Sequence, residues 1–218
     1  MLSAVDVSAG YGREPVLTGV TLHLPVGEVV GVAGPSGCGK TTLVRVLALL
    51  HPPSSGHVEL DGEVVRGTRH QVPSALRRRI GLVLQHPRES VDPRLTLADT
   101  LAEPLRAAGA RRPEVAERVR EVAQLVDLDP GLLARRPHEA SDGQLQRVSL
   151  ARALVLRPSS LLLDEATAML DAATTAGFVR LVDRVRAVHP MGVLTVAHDR
   201  PLLTAWCDRV HDLGELAG

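Results

Sequence analysis

The feature that most restricts the fold is the run Gly34-Pro35-Ser36-Gly37-Cys38-Gly39-Lys40-Thr41. It stands between an apolar β-branched stretch, Glu28–Val32, and an amphipathic one, Thr41–Leu50. The run fits the spacing G-x-x-x-x-G-K-[ST], and that spacing has a mechanism. Glycines let successive backbone N–H groups turn inward around phosphate oxygens, and the N-terminus of the following helix adds partial positive charge. Lys40 then reaches the β- and γ-phosphates of a nucleoside triphosphate, Thr41 offers its hydroxyl to Mg²⁺, and Thr42 lies within reach of the α-phosphate. Cys38 fills a position that the motif leaves open, and no redox role is expected of it. Leu43, Val46, Leu47 and Leu50 fall on one helical face, so strand, loop and helix follow in the order that such a site requires.

The flanking pattern extends this unit into a domain. Leu2–Val7 and Val20–Leu24 read as strands, His57–Leu60 and Glu63–Val65 as a hairpin around Asp61-Gly62, and Ile80–Gln85 as a short buried strand. From Leu97 to about Leu156 the pattern turns helical, with breaks near Pro113, Pro130 and Pro137. Strand character returns at Leu161–Leu163 and Val193–Val196, separated by a helix that carries Phe178, Leu181, Val182 and Val185. Alternating strands and helices imply an α/β fold with a mostly parallel sheet that binds its ligand beyond the strands' carboxyl ends. The expected organisation is a single domain over 1–218. Residues 1–85 and 157–218 form a nucleotide-binding core with an N-terminal antiparallel β subdomain, and 86–156 form an inserted helical subdomain.

A second constellation sharpens the chemistry. Leu161-Leu162-Leu163-Asp164-Glu165 is an apolar strand that ends in two carboxylates, an expensive arrangement unless the charges meet a cation or a substrate. Asp164 would hold Mg²⁺ and Glu165 would orient or deprotonate the attacking water, since in-line phosphoryl transfer needs mainly positioning and charge neutralisation. Composition limits the rest. Twenty-five basic residues balance twenty-five acidic ones, which argues against wholesale binding of nucleic acid. The runs Arg77-Arg78-Arg79 and Arg111-Arg112 read as solvated helix faces or partner contacts. Mean hydropathy is +0.08, and no apolar stretch approaches the roughly 20 residues that span a bilayer. The start lacks the features of a secretory signal. Two cysteines, Cys38 and Cys207, without zinc spacing suit a cytosolic compartment.

With these residues in view, the chain resembles the ATP-binding subunits of ABC transporters, from Val5 to about Leu203. The run Ala140-Ser141-Asp142-Gly143-Gln144, followed by Gln146-Arg147 and Ala151-Arg152-Ala153-Leu154, is similar to the family's L-S-G-G-Q signature. The resemblance implies a P-loop NTPase of the ABC ATPase type, in which Ser141, Asp142, Gly143 and Gln144 clamp the γ-phosphate of ATP held by another copy. It also implies that Gln85 senses Mg²⁺ and contacts the membrane partner, that His198 hydrogen-bonds the γ-phosphate, and that Asp171 crosses the dimer interface. Tyr11, the only tyrosine, stands where the family places an aromatic that stacks on adenine.

One departure matters for rate. Asp142 replaces the first glycine of the Gly-Gly pair, and a carboxylate about 7 Å from a γ-phosphate charge opposes it by roughly 2 kcal/mol at an effective dielectric near 20. The side chain is expected to point to solvent, where screening removes most of this. Ala140 for Leu and Ala166 for Pro are expected to be milder changes.

The stretch from Gln85 to Leu97 and Glu103-Pro104-Leu105 are similar to the peptide and nickel importer branch. The resemblance therefore implies an ATPase coupled to import, using ATP and Mg²⁺. Its partners would be an identical or paralogous ATPase subunit, integral-membrane permease subunits and, indirectly, an extracytoplasmic substrate-binding protein, with no nucleic acid. Its place would be cytoplasmic, peripheral on the inner face of the cell membrane through the permease. Three alternatives stay open: an ABC-fold switch in a soluble repair or translation machine, a kinase built on the same loop, and a hydrolysis-impaired, binding-only subunit.

Overall fold

The computed structural model describes residues 1–12 and 14–216. In chain order the strands are β1 (Leu2–Tyr11), β2 (Glu14–Leu24), β3 (Val29–Ala33), β4 (Ser55–Leu60), β5 (Glu63–Val65), β6 (Ile80–Val83), β7 (Ser160–Asp164), β8 (Gly192–Ala197) and β9 (Arg209–Asp212). The helices are α1 (Lys40–Leu47), α2 (Ser74–Arg77), α3 (Leu97–Ala107), α4 (Arg112–Leu125), α5 (Pro130–Leu133), α6 (Asp142–Leu154), α7 (Ala172–Val188) and α8 (Arg200–Trp206), joined in places by short 3-10 turns.

The chain divides into two compact units. The first comprises residues 1–82, 159–165 and 190–218, and the second 83–158 and 166–189.

The first unit holds two sheets. One has the order β2-β1-β4-β5, with antiparallel pairing throughout. The β4–β5 hairpin turns on Asp61 (φ 54°) and Gly62 (φ 80°), the pair of positive angles that a tight primed turn demands. The other sheet has the order β6-β7-β8-β3-β9, and β7–β8, β8–β3 and β3–β9 are parallel. Strands β3, β7 and β8 are buried along their whole length, which is why their sequences read as continuous apolar runs rather than as alternation. Leu43, Val44, Val46 and Leu47 of α1 pack into the same core as Val30, Val32, Leu162, Leu194 and Val196. That core seats α1 against the strands of the parallel sheet. Helix α1 stops at Leu47, and Leu49 enters the left-handed region at φ 60°. Leu50, expected on the helix's apolar face, is therefore 40% exposed.

The second unit is helical. Helices α3, α4 and α6 pack together through buried Leu97, Leu101, Val122, Leu145, Val148 and Leu150. Pro113 opens α4 within its first turn, where no N–H partner is lost, while Pro104 sits inside α3. Arg118 of α4 is buried, and its Nε and Nη2 donate to the carbonyls of Val155 (2.9 Å) and Leu154 (3.0 Å) at the end of α6. Helix α7 buries Phe178, Leu181, Val182 and Val185, the face that its sequence predicts. Among the described residues no helix is long and apolar enough to cross a membrane.

Candidate active site

The phosphate loop leaves the carboxyl end of β3 and closes onto α1 through Gly39, at φ 114° and ψ 3°. A side chain there would be strained, and its Cβ would stand 2.8 Å from Leu17 Cδ2. Gly34 is short of space for another reason: a Cβ would meet the Cys38 sulfur at 2.7 Å. Cys38 is thus a packing element beneath the loop, and Pro35, Ser36 and Gly37 form its exposed rim.

Lys40, the only lysine in the sequence, is 4% exposed. Its Nζ donates to the carbonyls of Gly34 (2.8 Å) and Pro35 (2.9 Å) and lies 3.4 Å from Glu165 Oε1. Its charge is folded back on its own loop and on a carboxylate, the partners a buried ammonium needs. Thr41 Oγ1 donates to Asp164 Oδ1 at 3.0 Å. Burial pushes the Asp164 carboxyl above the usual range, and the Glu165 charge adds to this against the hydrogen bond from Thr41.

Glu165 follows β7 with φ 47°, a left-handed conformation that costs a residue with a Cβ about 1–2 kcal/mol. Its N–H is bound by the carbonyl of Val196, so the neighbouring strand fixes the turn. His198, one residue past β8, has Nδ1 3.8 Å from Glu165 Oε2. Lys40, Thr41, Asp164, Glu165 and His198 are thereby gathered at the carboxyl ends of three neighbouring strands.

The Thr41–Asp164 pair suits a hard divalent cation. Ligands about 2.0–2.1 Å from an octahedral Mg²⁺ sit about 3 Å apart when adjacent, and these two oxygens are 3.0 Å apart. Among the described residues no group of three or more His, Cys, Asp or Glu side chains could hold a metal by itself.

Tyr11 lies at the end of β1, 50% exposed. Its hydroxyl accepts from Arg45 Nη1 (3.0 Å), and its ring leans on His51 at 4.8 Å and 38°. Burial acts the other way, but Arg45 and Thr42 hold the phenol below its ordinary value. Arg45 and His51 were not singled out in the sequence. A clue to Arg45 is its place one turn into α1, on the face opposite Leu43 and Leu47.

The other candidates belong to the second unit. Ser141 caps α6: its Oγ accepts from the Gln144 N–H (3.2 Å), and Gln144 Oε1 accepts from the Ser141 N–H (2.9 Å). This reciprocal box fixes the helix N-terminus that carries Gly143. Asp142 does not simply face solvent as its sequence context suggests. It is half-exposed, and its Oδ1 accepts from Arg88 Nε at 2.8 Å. Gln85 is half-buried and lies two residues past β6, because the strand ends at Val83 rather than at Gln85. Asp171 caps α7, accepting from the N–H groups of Ala173 and Thr174 and from the Thr174 hydroxyl, which holds its carboxyl below the usual range. Gln146, quoted with the signature run but given no role there, is buried. Its Nε2 donates to the carbonyl of Ala166 at 2.6 Å.

A parallel sheet with a glycine-rich loop closing onto a helix, and a carboxylate pair at the end of a neighbouring strand, defines a phosphate-loop α/β protein. The sequence model of the ABC transporter family matches residues 17–168. The chain belongs to that family and is an ATP-binding cassette ATPase. It is 39% identical over 204 residues to the nickel import ATP-binding protein NikE of Escherichia coli O6:K15:H31, covering 93% of this chain and 76% of that protein. To NikE of Shigella flexneri it is 38% identical over 213 residues, covering 96% and 80%. Among solved structures it is similar to the ATP-binding cassette MJ0796, a dimer in a post-hydrolysis state bound to ADP and Pi. That match has a TM-score of 0.84 and 28% identity, covering 96% of this chain and 93% of that one. It is also similar to cbiO1 of Clostridium perfringens, part of the ABC transporter complex cbiONQ, with a TM-score of 0.86 and 25% identity, covering 98% and 85%.

Proposed function

We propose that the chain is the ATP-hydrolysing subunit of an importer of the nickel and peptide branch, working as one of a pair of such subunits on a membrane permease. The observation that carries this is the gathering of one ammonium, one hydroxyl, two carboxylates and one imidazole at the ends of β3, β7 and β8, with successive separations of 3.0, 3.4 and 3.8 Å. The similarity to NikE, a nickel import protein, supports the branch. In this proposal the chain itself lies on the inner face of the cell membrane, with an extracytoplasmic binding protein selecting the substrate.

Lys40 exchanges the carbonyls of Gly34 and Pro35 for the β- and γ-phosphate oxygens of ATP, while the loop from Gly34 to Thr42 holds the triphosphate chain. Thr41 and Asp164, with Gln85, would hold Mg²⁺, which when bound neutralises charge on the phosphate oxygens. Glu165 orients the attacking water and takes its proton. His198 hydrogen-bonds the γ-phosphate, and the open face of Tyr11 stacks on adenine. The Ser141–Gln144 turn of the second subunit presents a capped helix N-terminus to the same γ-phosphate, and Asp171 approaches across that interface.

The test is Mg²⁺-dependent ATP hydrolysis by the purified chain beside Glu165→Gln, with oligomeric state followed by light scattering. The expected result is loss of at least about 100-fold in kcat, the scale of a lost general base, with the variant becoming an ATP-dependent dimer. Hydrolysis that survives Glu165→Gln would overturn the assignment.

A further inference from the structure

The Arg88 guanidinium spends its donors on one stretch of backbone and one carboxylate. Nε donates to Asp142 Oδ1 (2.8 Å), Nη2 to the carbonyl of Ala140 (2.8 Å) and Nη1 to that of Pro137 (3.1 Å). All three acceptors lie within the six residues that lead into α6, and the two carbonyls belong to buried residues. A planar fork places its donors on three separate nitrogens in fixed directions, and the single nitrogen of an ammonium cannot reproduce that spread. Asp142 is the first residue of α6, where the helix dipole welcomes an anion. For the same reason an unneutralised carboxylate there would compete with any phosphate brought to that helix end.

We infer that Arg88 is a positioning residue for the Ser141–Gln144 turn. It cancels the charge of Asp142 and pins the carbonyls of Pro137 and Ala140, so that the helix N-terminus meets the triphosphate of a second subunit without an opposing charge. Arg88 thus compensates within the chain for a carboxylate where the signature has glycine. The inference rests on the proposal that this turn acts on ATP held by another subunit. The ion pair is not sealed off: it lines a cleft of about 160 Å³ with His86, Pro87, Glu89 and Met169. Its electrostatic share is therefore open to screening by salt.

The experiment compares Arg88→Gln, Arg88→Lys, Asp142→Asn and the double variant Arg88→Gln/Asp142→Asn with the unaltered chain. KM for Mg·ATP and kcat are measured at about 0.1 M and about 1 M salt, where the screening length falls from about 10 Å to about 3 Å. Backbone hydrogen exchange over residues 138–142 is measured without nucleotide. Arg88→Gln is expected to raise KM about tenfold at the lower salt and only about twofold at the higher, as a partly screened charge requires. The double variant should lie within about twofold of Asp142→Asn alone, since the charge that needed cancelling is gone. Arg88→Lys should restore most of KM but not the slow exchange, because charge returns without the fork.

An equal loss from Arg88→Gln in both Asp142 backgrounds, or a loss indifferent to salt, would overturn the charge-cancelling role. The exchange arm needs no nucleotide and stands apart from the function proposed above. If the unaltered chain neither hydrolyses nor pairs on Mg·ATP, that proposal fails. Exchange about tenfold faster in Arg88→Gln would still support the anchor, and unchanged exchange would refute it.

Discussion

Replacing Arg118 by alanine should unfasten the far end of the helix that begins at the Ser141 turn. In the intact chain its guanidinium bonds the carbonyls of Leu154 and Val155, and Nη1 lies 2.7 Å from Glu121. Removal leaves two acceptors in a buried site, each worth about 1–3 kcal/mol when unsatisfied, with water entering the vacated space holding the sum near the lower end. A cation is also lost from a helix C-terminus, about another 0.3–1 kcal/mol. The expected total is about 3 kcal/mol, which for a chain of this size lowers Tm by about 6–12 °C. Thermal unfolding of Arg118→Ala and Arg118→Lys, followed by circular dichroism, is the assay. The lysine variant should recover less than half, since one ammonium cannot reach both carbonyls along the directions a fork supplies. A shift under about 2 °C for Arg118→Ala, or full recovery by lysine, would refute the reasoning.

Two other outcomes follow from local geometry. Gly39→Ala should weaken binding of a fluorescent ATP analogue by about tenfold or more, because φ 114° and the 2.8 Å approach to Leu17 cost about 2–3 kcal/mol in strain and overpacking; wild-type affinity would contradict it. Acid should destabilise the chain through carboxylates held below the ordinary aspartate value of 3.8, among them Asp99 by Thr96 and Arg106 and Asp171 by Thr174. Their contribution is complete above about pH 5 and fades as pH falls through the lowered folded values, where the unfolded chain takes up protons first. The urea midpoint of Asp99→Asn should accordingly lie below that of the unaltered chain at pH 6, and the gap should narrow as pH falls below 3.8. A gap of the same size on both sides of that value would show that the carboxylate's charge is not what stabilises.

Some of this was legible in the sequence because the physics involved is local or periodic. The strand read at Glu28–Val32 is found at Val29–Ala33, the glycines after it let the loop turn, and Phe178, Leu181, Val182 and Val185 share the helical face that their spacing predicts. The Ser141–Gln144 box needs only four consecutive residues. Arg88 and Arg118 were invisible for the opposite reason. Their acceptors lie 54 residues away at Asp142 and 36 and 37 residues away at Leu154 and Val155, and two of every three are backbone carbonyls, which carry no residue identity. In a chain rich in surface arginine nothing in the sequence separates an anchor from a solvated charge. Leu50 was misplaced because the helical period ran on past the point where Leu49 turns left-handed.

The order in which the sheet is threaded has a consequence for how the chain is made. Strand β3, which launches the phosphate loop, is an apolar five-residue run whose neighbours on both sides, β8 and β9, come from the last part of the sequence, and 179 residues separate Val29 from its partner Asp208. During synthesis at about 5–20 residues per second, β3 must therefore wait on the order of ten seconds or more with both edges unpaired. That interval, rather than the finished protein, is when this chain is most open to mispairing and most in need of a chaperone's shelter.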